Sequence, residues 1–180
     1  MRWLVGIVAL VAAGLLLATS LFTSPPAIAD QQATAARLEA VVPLVEELRI
    51  GIWIDDPECR SLMLDLDERF ADPPEGPCAF GDRPFTPEVR EAYDRIAAAV
   101  AGIVPGARVR MVQIAEDYSD LADGGAVRRF ITFRVAPRVL GRFDSPLEEW
   151  RWSWSEEPRP GELGNLSDHW SFFASRRNDG

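Results

Sequence analysis

Arginines crowd the second half of the chain: Arg108, Arg110, Arg128, Arg129, Arg134, Arg138 and Arg142. A guanidinium presents a planar fork of donors that suits carboxylates and phosphates. If residues 108–115 and 127–135 are strands, then Arg108, Arg110, Arg128 and Arg134 share parity and build a cationic face for such a ligand. The opposing reading pairs them with acids of neighbouring elements, and 28 acidic side chains against 19 basic ones favour it. A second binding candidate is aromatic. Trp150, Trp152 and Trp154 alternate with Arg151, Ser153 and Ser155, and exposed indoles spaced along a strand stack on sugars or anchor a protein partner. The same alternation also describes a strand with one wet face and one buried face, and that burial is the expectation here.

Catalytic chemistry is narrowed by what the chain lacks. It contains no lysine, so a P-loop lysine or a Schiff-base lysine has no residue to supply it. His169 is the single histidine, which excludes HExxH zinc sites and two-histidine metal centres. Asp168, Ser167 and Ser171 are close to it in sequence, but neighbours along a strand point to opposite faces and build no triad. Asp55 with Asp56, Asp65 with Asp67, and Glu148 with Glu149 are adjacent carboxylates. Acid–base work needs such groups in one cleft with separated pKa values, and in so acidic a chain they read as solvated faces. Asp117, Asp120 and Asp123 match no EF-hand spacing. No catalytic residue, metal site or cofactor is assigned.

Cys59 and Cys78 are the only cysteines. Without CxxC spacing, and in a compartment that permits oxidation, they are expected to form a disulfide. In the chain-entropy model a bridge closing about 20 residues contributes on the order of 3 kcal/mol.

That compartment is inferred from the first residues. Arg2 precedes an uncharged apolar run over 3–22, then Pro25, Pro26 and Ala27-Ile28-Ala29 stand before Asp30. The order is that of a secretory signal with cleavage after Ala29, so residues 1–29 are the signal and 30–175 the working domain. An uncleaved anchor over 3–22 is the alternative, because about 20 apolar residues span a bilayer. The protein is then secreted or in the cell envelope, or else single-pass with its domain outside. The whole chain has a formal charge of −9, and removing residues 1–29 takes away one arginine and no acid. Nucleic acid is therefore not a partner, and a membrane is contacted only through the N-terminal segment.

The elements that must position these residues follow from periodicity. Gln31–Leu48 reads as a helix kinked or split at Pro43, and Ile50–Ile54 as a short strand. A second helix is expected over 57–70, with Asp56 as cap and Cys59 in its first turn, then an irregular loop over 71–85. Thr86 and Pro87 open a third helix reaching Ile103. Strands follow over 108–115, 127–135 and 149–155, with a fourth over 169–175 that competes with a short helix capped at Ser167-Asp168, and residues 176–180 form a frayed tail. The expected class is α+β, with two or three helices on one face of a three- to four-stranded antiparallel sheet. The functional expectation is a noncatalytic exported domain that binds a protein or envelope component. The alternative is a small hydrolase or isomerase using Asp or Glu in a pocket between sheet and helices.

Overall fold

Strand pairing dominates the architecture. The computed structural model describes residues 25–65, 67–75, 82–117, 128–137, 148–156 and 164–176. In chain order the elements are α1 (Ile28–Leu38), α2 (Val42–Glu47), β1 (Ile50–Asp56), β2 (Cys59–Leu64), β3 (Glu68–Ala71), β4 (Arg83–Pro84), α3 (Pro87–Val100), β5 (Ala107–Asp117), β6 (Arg128–Pro137), β7 (Glu148–Ser155) and β8 (Trp170–Arg176). All eight strands join one sheet in the order β4-β3-β2-β1-β5-β6-β7-β8. Its pairs are antiparallel except β3 with β4, which run parallel.

The expected sheet of three or four antiparallel strands is therefore wrong. The error traces to residues 57–70. Leu62, Met63, Leu66 and Phe70 fit a helical period, but the segment folds as β2 and β3, so Cys59 opens a strand and no helical turn. Pro57 and Glu58 form a two-residue turn that sets Asp56 opposite Cys59, and β1 then has a partner for its backbone along that side. Ser61, Leu62 and Met63 are all buried, as in a strand covered on both faces. The loop expected over 71–85 supplies the short β4. No helix forms at Ser167-Asp168; bends lead directly into β8.

The helices follow the sequence more closely. Pro43 occupies the first turn of α2, so the first helix is split there. Thr86 caps α3 by accepting from the Val89 N–H at 3.3 Å, and Val89, Tyr93, Ile96 and Val100 are its buried stripe.

One transverse row of the sheet shows where the core lies. Phe70, Leu62, Trp53, Val112, Phe133, Trp152 and Phe172 stand opposite one another from β3 to β8. Residues directly opposite on paired strands share a face, and every member of this row is buried. The row belongs to one hydrophobic cluster with Leu38, Val42 and Val45 of the first two helices and Tyr93, Ile96 and Val100 of α3. The Trp152 indole donates to the Gln31 carbonyl at 3.1 Å and the Trp170 indole to the Glu39 carboxylate, tying α1 to β7 and β8.

The outer edge of β8 is guarded by residues 164–167. The Phe172 N–H donates to the Gly164 carbonyl at 2.8 Å, and the Leu166 N–H to the Trp170 carbonyl at 2.8 Å. Gly164 has φ +97°, and a Cβ there would lie 2.4 Å from the Phe172 carbonyl oxygen. Only glycine meets both demands. Gly164→Ala is expected to destabilise the protein by more than about 1 kcal/mol, and to promote association through the uncovered edge. Thermal melting with light scattering checks this, and an unchanged melting temperature would count against the edge assignment.

Candidate functional site

A polar cluster is built where the β1–β2 hairpin turns beside α3 and the start of β5. A register shift between Val109 and Met111 breaks the alternation of β5 within the stretch that holds Arg110. The Arg108 guanidinium pairs with the Asp55 carboxylate, and Arg110 with Asp56. The Tyr93 hydroxyl lies 2.8 Å from Asp55 Oδ1 and 3.1 Å from the Ile54 carbonyl oxygen. Beside it, Arg60 and Arg90 converge on Asp72 Oδ2 at 3.0 and 2.8 Å, and the Arg90 guanidinium lies 5.1 Å from the centre of the Phe85 ring. Burial is the main force raising the Tyr93 phenol above its ordinary value, and its hydrogen bond to Asp55 adds to it. Tyr93 thus stays protonated and acts as a donor. Every aspartate of the cluster is paired with arginine, and the cluster packs the end of the sheet.

The four arginines expected to share a face do not gather into one cluster. Arg128 and Arg134 lie on one side of β6 but six residues apart, Arg108 stands opposite Ala136 near the other end, and Arg110 falls in the irregularity between Val109 and Met111. Arg108 and Arg110 already have aspartate partners, while Arg129 reaches Glu46 at 3.9 Å. Arg138 and Arg142 lie outside the described residues.

Trp150 and Trp152 are buried, and Trp154 is half-buried against the same core. They form no exposed platform. The His169 Nδ1 lies 3.0 Å from the Ser155 carbonyl oxygen, and its ring tilts against Trp154. That nitrogen is committed to the backbone. Cys59 is disulfide-bonded, and Cys78 lies outside the described residues. Asp120, Asp123 and the 3–22 run also lie outside them, whereas the proposed cleavage point between Ala29 and Asp30 falls in the first turn of α1. Among the described residues no helix is long and apolar enough to cross a membrane, and no three His, Cys, Asp or Glu side chains gather as for a metal ion.

The feature that sequence reading missed lies on the sheet face opposite the helices. There Ala71, Ser61, Ile54, Met111, Arg134, Arg151 and Phe173 form a second row across β3, β2, β1, β5, β6, β7 and β8. Arg134 and Arg151 meet directly in its middle. Glu149 Oε1 is 3.4 Å from Arg134 Nε and 3.5 Å from Arg151 Nη2. Phe173, at the end of the row, is one of two exposed large hydrophobic residues among the described residues. In the sequence Arg151 signals only the wet face of the tryptophan strand. Its meeting with Arg134 depends on the register of β6 with β7, which no local pattern specifies.

On the helix side, a shallow cleft of about 330 Å³ lies between α1 and residues 166–170, lined by Gln32, Ala35, Ala36, Glu39, Leu166, Ser167 and Trp170. Its polar groups are already engaged: Gln32 bonds the Leu166 carbonyl at 3.3 Å, and Glu39 accepts from Trp170. The chain matches no family model, no curated protein and no solved structure.

Proposed function

We propose that the protein works outside the cytoplasm as a noncatalytic domain that binds a protein or cell-envelope ligand on the sheet face opposite the helices. The observation that carries this reading is the Ile54–Met111–Arg134–Arg151–Phe173 row, which mixes apolar side chains with a pair of arginines and ends in an exposed phenylalanine. An exposed aromatic beside arginine is the composition that binding surfaces favour over ordinary protein surface. Two further observations support binding over catalysis. The space between sheet and helices is filled by the aromatic core row, and the best-organised polar cluster pairs its aspartates with arginines around a protonated tyrosine. Export through residues 1–29, or anchoring through 3–22, and pairing of Cys59 with Cys78 belong to the same proposal.

A photoreactive phenylalanine analogue placed at Phe173 of the full chain, produced in its native host, tests the reading. Irradiation should yield a discrete adduct with an envelope or secreted component, and the same analogue at Glu91, an exposed position on α3, should not. Adducts at both positions or at neither would overturn it. Mass spectrometry of the adduct also maps its N-terminus, with Asp30 expected after processing and Met1 marking the anchored form.

A further inference from the structure

We propose that Arg134 and Arg151 form a carboxylate-binding site on this face, and that its occupant is an extended acidic segment of a partner protein. The inference rests on the binding reading above and supplies its chemistry.

Among the described residues, charge on this face is left uncompensated. Two guanidinium groups stand directly opposite each other across β6 and β7, an arrangement that repels. One carboxylate, Glu149, lies between them, so the trio retains a positive charge. Arg108 and Arg110, by contrast, each have an aspartate of their own. Hydrogen bonding in the trio is also incomplete. Arg134 Nε, Arg151 Nε and Glu149 Oε1 are shut off from solvent and make no hydrogen bond. Their contacts at 3.4 and 3.5 Å hold charge near charge without donor–acceptor alignment. Buried donors in this state are unfavourable, and a second carboxylate that lets both forks turn into two-point contact relieves them. The arginine side chains are 36% and 40% exposed, so such a group has access.

Geometry then selects the occupant. From Met111 to Phe173 the row crosses three strand spacings, roughly 14 Å at about 4.8 Å each. Four residues of extended chain rise about 13 Å, and residues i, i+2 and i+4 share one side. An extended segment with an apolar residue, an acid two positions on and another apolar residue two beyond that sets its carboxylate between Arg134 and Arg151. Its apolar side chains then rest on Met111 and Phe173. An anionic bilayer fits less well, because the chain itself carries a formal charge of −9. A lone carboxylate escapes most of that repulsion, since charges beyond about 8 Å are screened at physiological salt.

Fluorescence anisotropy with the full chain and two labelled peptides, Leu-Ala-Glu-Ala-Leu and Leu-Ala-Gln-Ala-Leu, tests the site. The glutamate peptide should bind about tenfold more tightly than the glutamine one, as expected for a charge-assisted two-point contact. Arg134→Gln and Arg151→Gln should each erase that preference without lowering the melting temperature, and Arg134→Lys, which keeps the charge without the fork, should erase most of it. Glu149→Gln, which removes the internal competitor, should tighten binding severalfold. Equal affinity for the two peptides, no binding of the glutamate peptide at millimolar concentration, or an arginine-dependent preference for phosphatidylglycerol vesicles would each overturn the proposal. A Phe173 adduct obtained despite that result would preserve the binding reading and remove only the carboxylate assignment, whereas loss of both would remove both.

Discussion

Truncating Trp152 to Ala should lower stability by about 3 to 5 kcal/mol. Trp152 is fully buried in the middle of the core row, between Phe133 and Phe172. Its ring meets Phe172 edge-on at a centroid separation of 4.7 Å, and its indole N–H holds the Gln31 carbonyl of α1. Removal therefore opens a cavity, ends an aromatic pair and leaves a carbonyl without its donor. For a chain of this size about 1 kcal/mol corresponds to roughly 2 to 4 °C, so the melting temperature should fall by about 10 °C or more. Trp154→Ala should cost clearly less, because Trp154 is only partly buried and its indole N–H has no partner to lose. Chemical denaturation of both variants checks the ranking. A Trp152→Ala protein that melts with the wild type would mean that this row is not the core.

The second large effect is an alkaline one. The Tyr93 phenol is raised above its ordinary value of 10.0 when the protein folds, with burial the first cause and the Asp55 hydrogen bond the second. A group whose folded pKa is raised contributes stability that is complete below its unfolded pKa, about 10 for tyrosine, and that is lost as pH rises toward the folded value. Above pH 10 the loss should approach about 1.4 kcal/mol for each pH unit. The composition makes this legible in experiment, because the chain has no lysine and only two tyrosines to titrate in that range. Tyr93→Phe should be less stable than wild type at neutral pH, by about 1 to 3 kcal/mol for a hydrogen bond to a charged acceptor. Its stability should decline less between pH 10 and 11.5, so the two curves converge. Urea denaturation at several pH values measures this, and parallel curves would refute it.

What was legible in the sequence follows one physical division. Capping and periodicity are local, so Thr86 and Pro87 placed the start of α3, and Pro43 divided the first helix. The alternation of Trp150, Trp152 and Trp154 with Arg151 and Ser153 likewise separated a buried side from a wet one, and the aromatic residues do occupy the core face. Residues 57–70 were misread because apolar neighbours such as Leu62 and Met63, which fit a helical spacing, also suit a strand buried on both sides. What decided between them was β1, whose backbone groups required a neighbour. The strand count failed with them, since β2, β3 and β4 all lie in the stretch read as helix and loop.

The arginines show the same division at the level of function. Parity along single strands suggested a face made of Arg108, Arg110, Arg128 and Arg134. Arg128 and Arg134 do share a side of β6 but stand six residues apart, while Arg108, before the irregularity between Val109 and Met111, and Arg110, within it, pair with Asp55 and Asp56. Register instead unites Arg134 with Arg151 and places Glu149 between them. By itself the sequence determined the acidic balance, the lack of lysine and of a second histidine, the apolar run behind Arg2 and the local turns and caps. Those are properties of composition or of a few neighbouring residues. Tertiary structure alone decided which side chains meet across strands, because pairing partners lie far apart in the chain and a one-residue slip would exchange the two faces of the sheet.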